Sequence, residues 1–283
     1  MYQDRISKLP DYALGFNLAL VGHPGSGKTS AIVMAIKCGM EVFVLFSEAN
    51  GPSNFLKAAR DIYKLNEEEM SRLHFCYLKS GVTKFKTLRD TADIVNKAPE
   101  FGKISGGSRS NYDQLVKLMA ACVKFVDQNG KEFGAVDEWG PNRLIALDSL
   151  TGLNDMAMQL TIGGKPCPTQ QDWGVAMKQE MDLIKALIGT QACFLLTAHL
   201  SLEKDEVSGR LITAPMALGQ KNGPAMLPLF SDIVLAEKEG DKFYWSTTNS
   251  KIDCLKNSFL PLKAKMSVSM DVLIDQWLKA NGV

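Results

Sequence analysis

The chain has 283 residues, of which 46% are hydrophobic and 22% charged, with a formal net charge of +1. That is enough apolar material for one large core, and too much to leave the chain disordered. The near-neutral balance excludes nucleic-acid binding driven by bulk positive charge and leaves only local patches for it.

No run reaches transmembrane length, and Met1-Tyr2-Gln3-Asp4-Arg5 leads into no signal-peptide core, so a cytoplasmic protein with no membrane partner is expected. The six cysteines form no C-x-x-C pair, and the three histidines are far apart. Reduced cysteines and no structural zinc are expected from that.

Residues 1–15 are too short for a domain and are expected to form an N-terminal arm. Phe16–Val21 is an apolar run of strand length. Gly22-His23-Pro24-Gly25-Ser26-Gly27-Lys28-Thr29 then fits G-x-x-x-x-G-K-[ST], and Ser30–Lys37 reads as a helix. Strand, Gly-rich loop and helix together are the context of a phosphate-binding loop, or Walker A motif. Its glycines let backbone N–H groups turn toward an anion, and the helix N-terminus adds its positive dipole end. Lys28 is expected on the β- and γ-phosphates and the Thr29 hydroxyl on Mg²⁺. Gly22 to Ser30 are therefore the expected nucleoside triphosphate site.

Glu41–Phe46 reads as a buried parallel strand. It ends near Glu48, a carboxylate at the sheet edge where open α/β folds bind ligands. Residues 53–64 read as helix, Leu73–Leu78 as strand and 84–96 as helix. Lys97–Ser110, with its glycines and serines, reads as a mobile loop. A helical stripe follows at Tyr112, Leu115, Val116, Met119, Cys122, Val123 and Val126. Arg143–Ser149 is an apolar strand ending in Asp148, where a second nucleotide motif places the carboxylate of the Mg²⁺ shell.

Residues 171–188 form the clearest helix, with Trp173, Met177, Met181, Ile184 and Ile188 on one face. Ala192–Ala198 is another buried strand, ending at His199. Leu200–Asn222 reads as a long polar loop, 223–231 as a short helix, Asp232–Ala236 and Lys242–Thr248 as a β-hairpin, and 271–279 as a docking helix. Residues 242–265 hold five lysines and one acid, a net of +4 in a balanced chain.

This order resembles the RecA-like ATPase core over about residues 12–265. It most closely resembles the phage-encoded RecA-like ATPases that act in single-strand DNA annealing or recombination. The resemblance implies a mostly parallel α/β sheet flanked by helices, with a C-terminal hairpin. It divides the chain into an arm (1–15), an ATPase domain (16–265) and a helical tail (266–283). It implies ATP and Mg²⁺ as cofactors, single-stranded DNA as partner, and a homo-oligomer. Lys28 and Thr29 keep the roles above. Glu48 matches the glutamate that activates the attacking water, and Asp148 the acid of the second motif.

His199 stands where the family places a polar γ-phosphate sensor. Lys256, in Lys256-Asn257-Ser258-Phe259, matches a cation inserted into the neighbouring subunit's site; the recombinases carry a second basic residue where this chain has Ser258. The resemblance also expects DNA-facing loops at about 154–170 and 201–222. The second balances Lys204, Arg210 and Lys221 against Glu203, Asp205 and Glu206. A motor or loader ATPase with a protein partner is the alternative. A small-molecule kinase is disfavoured, because 200–222 has only Arg210 to clamp phosphates.

Overall fold

The computed structural model describes residues 2–48, 50–78, 85–97, 112–163, 165, 167–204, 209, 211–248 and 254–283. In chain order the main elements are α1 (Tyr2–Ile6), β1 (Asn17–Val21), α2 (Lys28–Lys37), β2 (Glu41–Phe46) and α3 (Gly51–Lys57), which continues as a π-helical turn (Ala58–Ile62). Next come α4 (Glu67–Met70), β3 (Leu73–Tyr77), α5 (Phe85–Lys97), α6 (Gln114–Val123), β4 (Arg143–Asp148), α7 (Leu150–Ile162) and α8 (Gln170–Ile188). The rest is β5 (Cys193–Ala198), β6 (Leu200–Lys204), β7 (Leu211–Pro215), α9 (Gly219–Met226), β8 (Asp232–Glu239), β9 (Lys242–Ser246), β10 (Lys256–Asn257), β11 (Met266–Ser267) and α10 (Met270–Ala280).

β1, β2, β4 and β5 are short apolar runs because both of their faces are covered. They sit inside a nine-stranded sheet of order β11-β9-β8-β1-β5-β4-β2-β3, with β10 paired to β8. From β3 across to β8 every pair is parallel, and β9, β10 and β11 add antiparallel pairs at the other end. The mostly parallel α/β sheet with a C-terminal hairpin expected from the sequence is therefore the observed fold.

Two cores fill its faces. On one, Ile32 and Ile36 of α2 meet Phe55 of α3 and Leu273, Ile274 and Trp277 of α10. On the other, Leu115 of α6, Leu153 of α7 and Ile184 of α8 cover Ile145 and Phe194. The two chain ends meet on the first face: Arg5 Nη1 pairs with Asp275 at 2.8 Å, and Trp277 donates its indole N–H to Leu14 O at 3.1 Å. The cysteine expectations concern core positions; Cys38, Cys193 and Cys254 are buried, whereas Cys167 is exposed.

Several local expectations are corrected. The expected loop at 154–170 is mostly helix, because α7 runs to Ile162, and α8 begins after a capping box between Thr169 and Asp172. The expected loop at 201–222 holds a two-stranded hairpin, β6–β7, and the start of α9. β6 alternates apolar and polar residues over Leu200–Glu203 whereas β7 does not, so the pair shows no common strand pattern until the two are seen together. On α6 the buried residues are Leu115 and Leu118, while Val116 and Val123 are exposed. Trp173 is 40% exposed although it lies on the expected core face of α8. The loop expected at 97–110 lies outside the described residues from 98 onward.

Parallel strands all point their C-terminal ends to one edge. β1 ends at the P-loop, β2 just before Glu48, β4 at Asp148 and β5 at His199. β5 lies between β1 and β4, so the carboxylate of β4 reaches the P-loop helix across one intervening strand.

Candidate active site

The P-loop wraps from β1 into α2. Gly27 is the N-cap of α2 at φ 87°, a left-handed conformation that favours glycine, and no side chain caps the helix. The first-turn N–H groups therefore lack both intrahelical acceptors and a side-chain acceptor. Ser26 Oγ is buried without a hydrogen-bond partner. Lys28, itself buried, donates to the carbonyls of Gly22 (2.8 Å) and His23 (2.9 Å). Uncapped amides, an orphaned hydroxyl and a buried ammonium together fit an oxyanion.

Asp148 ties three elements together. Its Oδ2 accepts the Thr29 hydroxyl at 2.8 Å, and its Oδ1 accepts the Thr197 hydroxyl at 2.5 Å. Burial pushes the carboxyl up, against these two hydrogen bonds. Thr29 and Asp148 offer hard oxygen donors of the kind that suit a magnesium ion. Among the described residues no group of three or more His, Cys, Asp or Glu could hold a metal. The donor set thus fits Mg²⁺ held jointly with a phosphate and does not make a self-sufficient protein cage.

A second tie holds the tips of β2 and β4. Ser47, fully buried, accepts from Ser149 N at 2.8 Å and donates to Ser149 O at 2.9 Å. Gly152 passes so close to the Ser47 side chain that a Cβ there has no room. Leaving the Ser149 N–H without its acceptor costs about 1–3 kcal/mol. The tie places Glu48, whose Oε1 accepts the Ser149 hydroxyl and lies 3.7 Å from His199 Nε2. The His199 contact, above all, holds the Glu48 carboxyl below its ordinary range.

His199 Nδ1 lies 3.5 Å from Lys28 Nζ. A ring whose Nδ1 meets an ammonium and whose Nε2 meets a carboxylate suits the tautomer protonated on Nε2. Burial lowers Lys28 to about 8, while Asp148 and Glu48 pull it back up.

One cavity of about 430 Å³ is lined by Pro24 to Ser30, Glu48, Asp148, Ser149 and His199. The structure thus brings together Lys28, Thr29, Glu48, Asp148 and His199. It does not bring Lys256 to them. The Lys256 ammonium donates to Phe230 O (2.6 Å) and Pro228 O (3.3 Å), at the edge of the sheet where β8 begins, away from the P-loop.

Sequence reasoning missed Ser47, Thr197, Asn54, Lys57 and Phe243. Lys57 and Asn54 line the cavity from α3, and Phe243 lines it from β9. Lys57 is a same-chain cation that the sequence pattern did not reveal. Only Thr197 carried a signal, as the polar residue closing an otherwise apolar strand.

The β6–β7 hairpin grows directly out of this site. His199 O accepts Met216 N at 2.8 Å, closing the hairpin base. The returning chain is held by Asn154 Nδ2 on Met216 O (2.8 Å), and by Leu218 N on both oxygens of Glu180 (3.3 and 3.2 Å). Asn222 Nδ2 also donates to Glu180 Oε2 at 2.8 Å. Glu180 is fully buried, and burial raises its carboxyl to about 7.

No family model matches the chain, and no curated protein matches it. Among solved structures, one titled "Crystal structure of the RadB recombinase" is similar at 13% identity, with a TM-score of 0.39. The match covers 88% of this chain and 84% of that one. A likeness this distant carries no argument about activity. Among the described residues no helix is long and apolar enough to cross a membrane.

The Glu180 anchor makes stability depend on pH. Between the ordinary value of 4.5 and about 7, the folded state holds a proton that the unfolded chain has lost. Stability contributed by this group is therefore full below pH 4.5 and is lost as pH rises through 7, by roughly 3 kcal/mol. Glu180→Gln lacks this step and is expected to be the more stable protein at pH 8. Urea midpoints for both proteins from pH 4.5 to 8 check it; parallel profiles would contradict it.

Proposed function

We propose that the chain is a Mg²⁺-dependent ATPase of the RecA-like class that works as a homo-oligomer on single-stranded DNA, in phage-type recombination, annealing or replication. One observation carries the ATPase reading. Lys28 and Thr29 of the P-loop, Asp148 of β4 and Glu48 after β2 converge on one cavity.

Each residue has a task that its surroundings support. Lys28 supplies a fixed positive charge to phosphate oxygens, and the uncapped N–H groups of α2 add donors beside it. Thr29 and Asp148 would hold Mg²⁺, which would supply positive charge beside the phosphate. Glu48, ionised at neutral pH, accepts the proton of the attacking water. Ser149 and His199 fix the orientation of that carboxylate. His199 reads the γ-phosphate position and passes its state to the β6–β7 hairpin through the Met216 backbone bond.

The partner assignment draws support from the β6–β7 hairpin, which follows directly on His199. A second reading, a motor or loader ATPase with a protein partner, draws support from the balanced charge of 201–222. A gel shift decides between them. The DNA reading expects single-stranded DNA to be retained with ATP and released as salt rises, because phosphate contacts release counterions. No shift at low salt would favour the protein partner.

ATP turnover tests the chemistry. Lys28→Ala is expected to abolish it. Glu48→Gln is expected to bind ATP normally and turn over about 10²–10⁴-fold slower, the range of general-base assistance. Full turnover by Lys28→Ala, or a kinetically silent Glu48→Gln, would sink the assignment.

Oligomer dependence rests on Lys256. Its position away from its own chain's cavity suits a residue that serves a neighbour. Specific activity is then expected to rise with protein concentration, and Lys256→Ala to bind ATP without turning it over. Mixing Lys256→Ala with Lys28→Ala is expected to restore part of the activity, since one mixed interface joins an intact P-loop to an intact lysine. A mixture that co-assembles yet stays inactive would remove Lys256 from the site.

A further inference from the structure

The cavity does not end at the phosphate cradle. Asn54, Lys57, Ala58 and Ile62 line it too; Asn54, Ala58 and Ile62 are four residues apart along α3 and its π-helical turn, with Lys57 beside Ala58. α3 starts just after Glu48 and runs away from the strand tips. At 1.5 Å per residue, Ile62 lies about 12 Å farther along that axis than Asn54. The wall therefore grades from polar near Glu48 to apolar at Ile62.

Phe243 lines the same cavity from a different element, β9. Its ring packs against Gly27, where an added Cβ would come within 2.5 Å of ring carbon Cδ1, and the Lys238 ammonium lies 5.7 Å from the ring centroid. Phe243 is only half-buried, and Ile62 is 49% exposed. Two apolar side chains thus face solvent inside a cavity whose other end is built for an anion. Packing on Gly27 leaves Phe243 half-buried and Ile62 exposed, and wetted apolar surface costs free energy that a ligand can recover.

We infer that Phe243 is the stacking platform for the base of the bound nucleotide, with Ile62 as an apolar contact on the α3 wall. The inference rests on the phosphate-site reading above and deepens it. The ligand is a whole nucleoside triphosphate, seated at both ends, not a polyphosphate chain held by the P-loop alone. A cavity of about 430 Å³ lies in the range that encloses a complete small ligand. Phe243 also links the two ends of the ligand, because the ring that meets the base rests on the glycine that caps the phosphate helix. Asn54 and Lys57, on the α3 wall, put an amide and an ammonium within reach of the sugar or the base edge.

Calorimetry on the full chain with Mg²⁺, using ATP and inorganic tripolyphosphate as paired probes, tests this. Phe243→Ala is expected to weaken ATP about tenfold, a typical loss for one base–aromatic stack, and to leave tripolyphosphate within about twofold. Phe243→Trp, which keeps a larger π-face, is expected to hold ATP at wild-type affinity or better. Ile62→Ser changes an exposed residue away from Gly27 and so does not depend on how Phe243→Ala folds; it too is expected to weaken ATP alone. Equal losses for both probes in Phe243→Ala would show that the ring merely braces the P-loop, and overturn the inference. So would unchanged ATP affinity in both Phe243→Ala and Ile62→Ser. A wild-type protein that binds neither probe would instead overturn the phosphate site itself, and so is distinguishable.

Discussion

The buried carboxylate of Asp148 is the interaction on which the site depends. It accepts one hydroxyl from the P-loop helix and one from β5, and so locks three adjacent parts of the sheet edge to one another. Burying an anion is unfavourable unless it is hydrogen-bonded or paired. Here two hydroxyls and the nearby Lys28 ammonium meet that requirement only in part, and the carboxyl remains pushed up. A divalent cation beside Asp148 and Thr29 would reverse that balance. The fold holds an anion poorly satisfied at the place where a metal would satisfy it.

Lys28 shows the same economy with the opposite sign. Its ammonium is buried, turned back onto the Gly22 and His23 carbonyls, and lowered to about 8 by desolvation. Added negative charge stabilises its protonated form. Two opposed charges, both desolvated and held by fixed partners, make a pre-organised electrostatic site.

Rigidity is unevenly spread around these groups. The tips of β2 and β4 are clamped by the reciprocal Ser47–Ser149 bonds, which fixes Glu48 relative to Asp148. The hairpin after β5 is different. Among its described residues, polar contacts gather at its base, with the Met216 N–H on His199 O, Asn154, and the buried Glu180 with Asn222, while Leu200 and Leu218 pack against the second core. An isolated two-stranded hairpin is marginally stable, so its hold on the main body comes from these base contacts. The residue that feeds it, His199, touches both Lys28 and Glu48.

Much of this was legible in the chain itself. The P-loop is a local motif whose chemistry is written in eight consecutive residues, and buried parallel strands announce themselves as continuous apolar runs. Position at a strand's C-terminal end was enough to mark Glu48, Asp148 and His199, because parallel strands send all those ends to one edge. The hairpin at 200–215 was not legible, since only its first strand alternates and the second carries no such pattern. Nor was the helix over 150–162, whose buried face includes Gly152 and Asn154 alongside Leu150 and Leu153. Ser47, Lys57, Glu180 and Phe243 left no mark in the sequence. Each acquires its role by meeting residues about 30 to 200 positions away, and no local pattern encodes such a meeting. The sequence by itself determined the phosphate cradle and the sheet edge that holds it; only the tertiary structure decided which side chains complete that edge, because burial and hydrogen-bond geometry exist only once distant segments are packed.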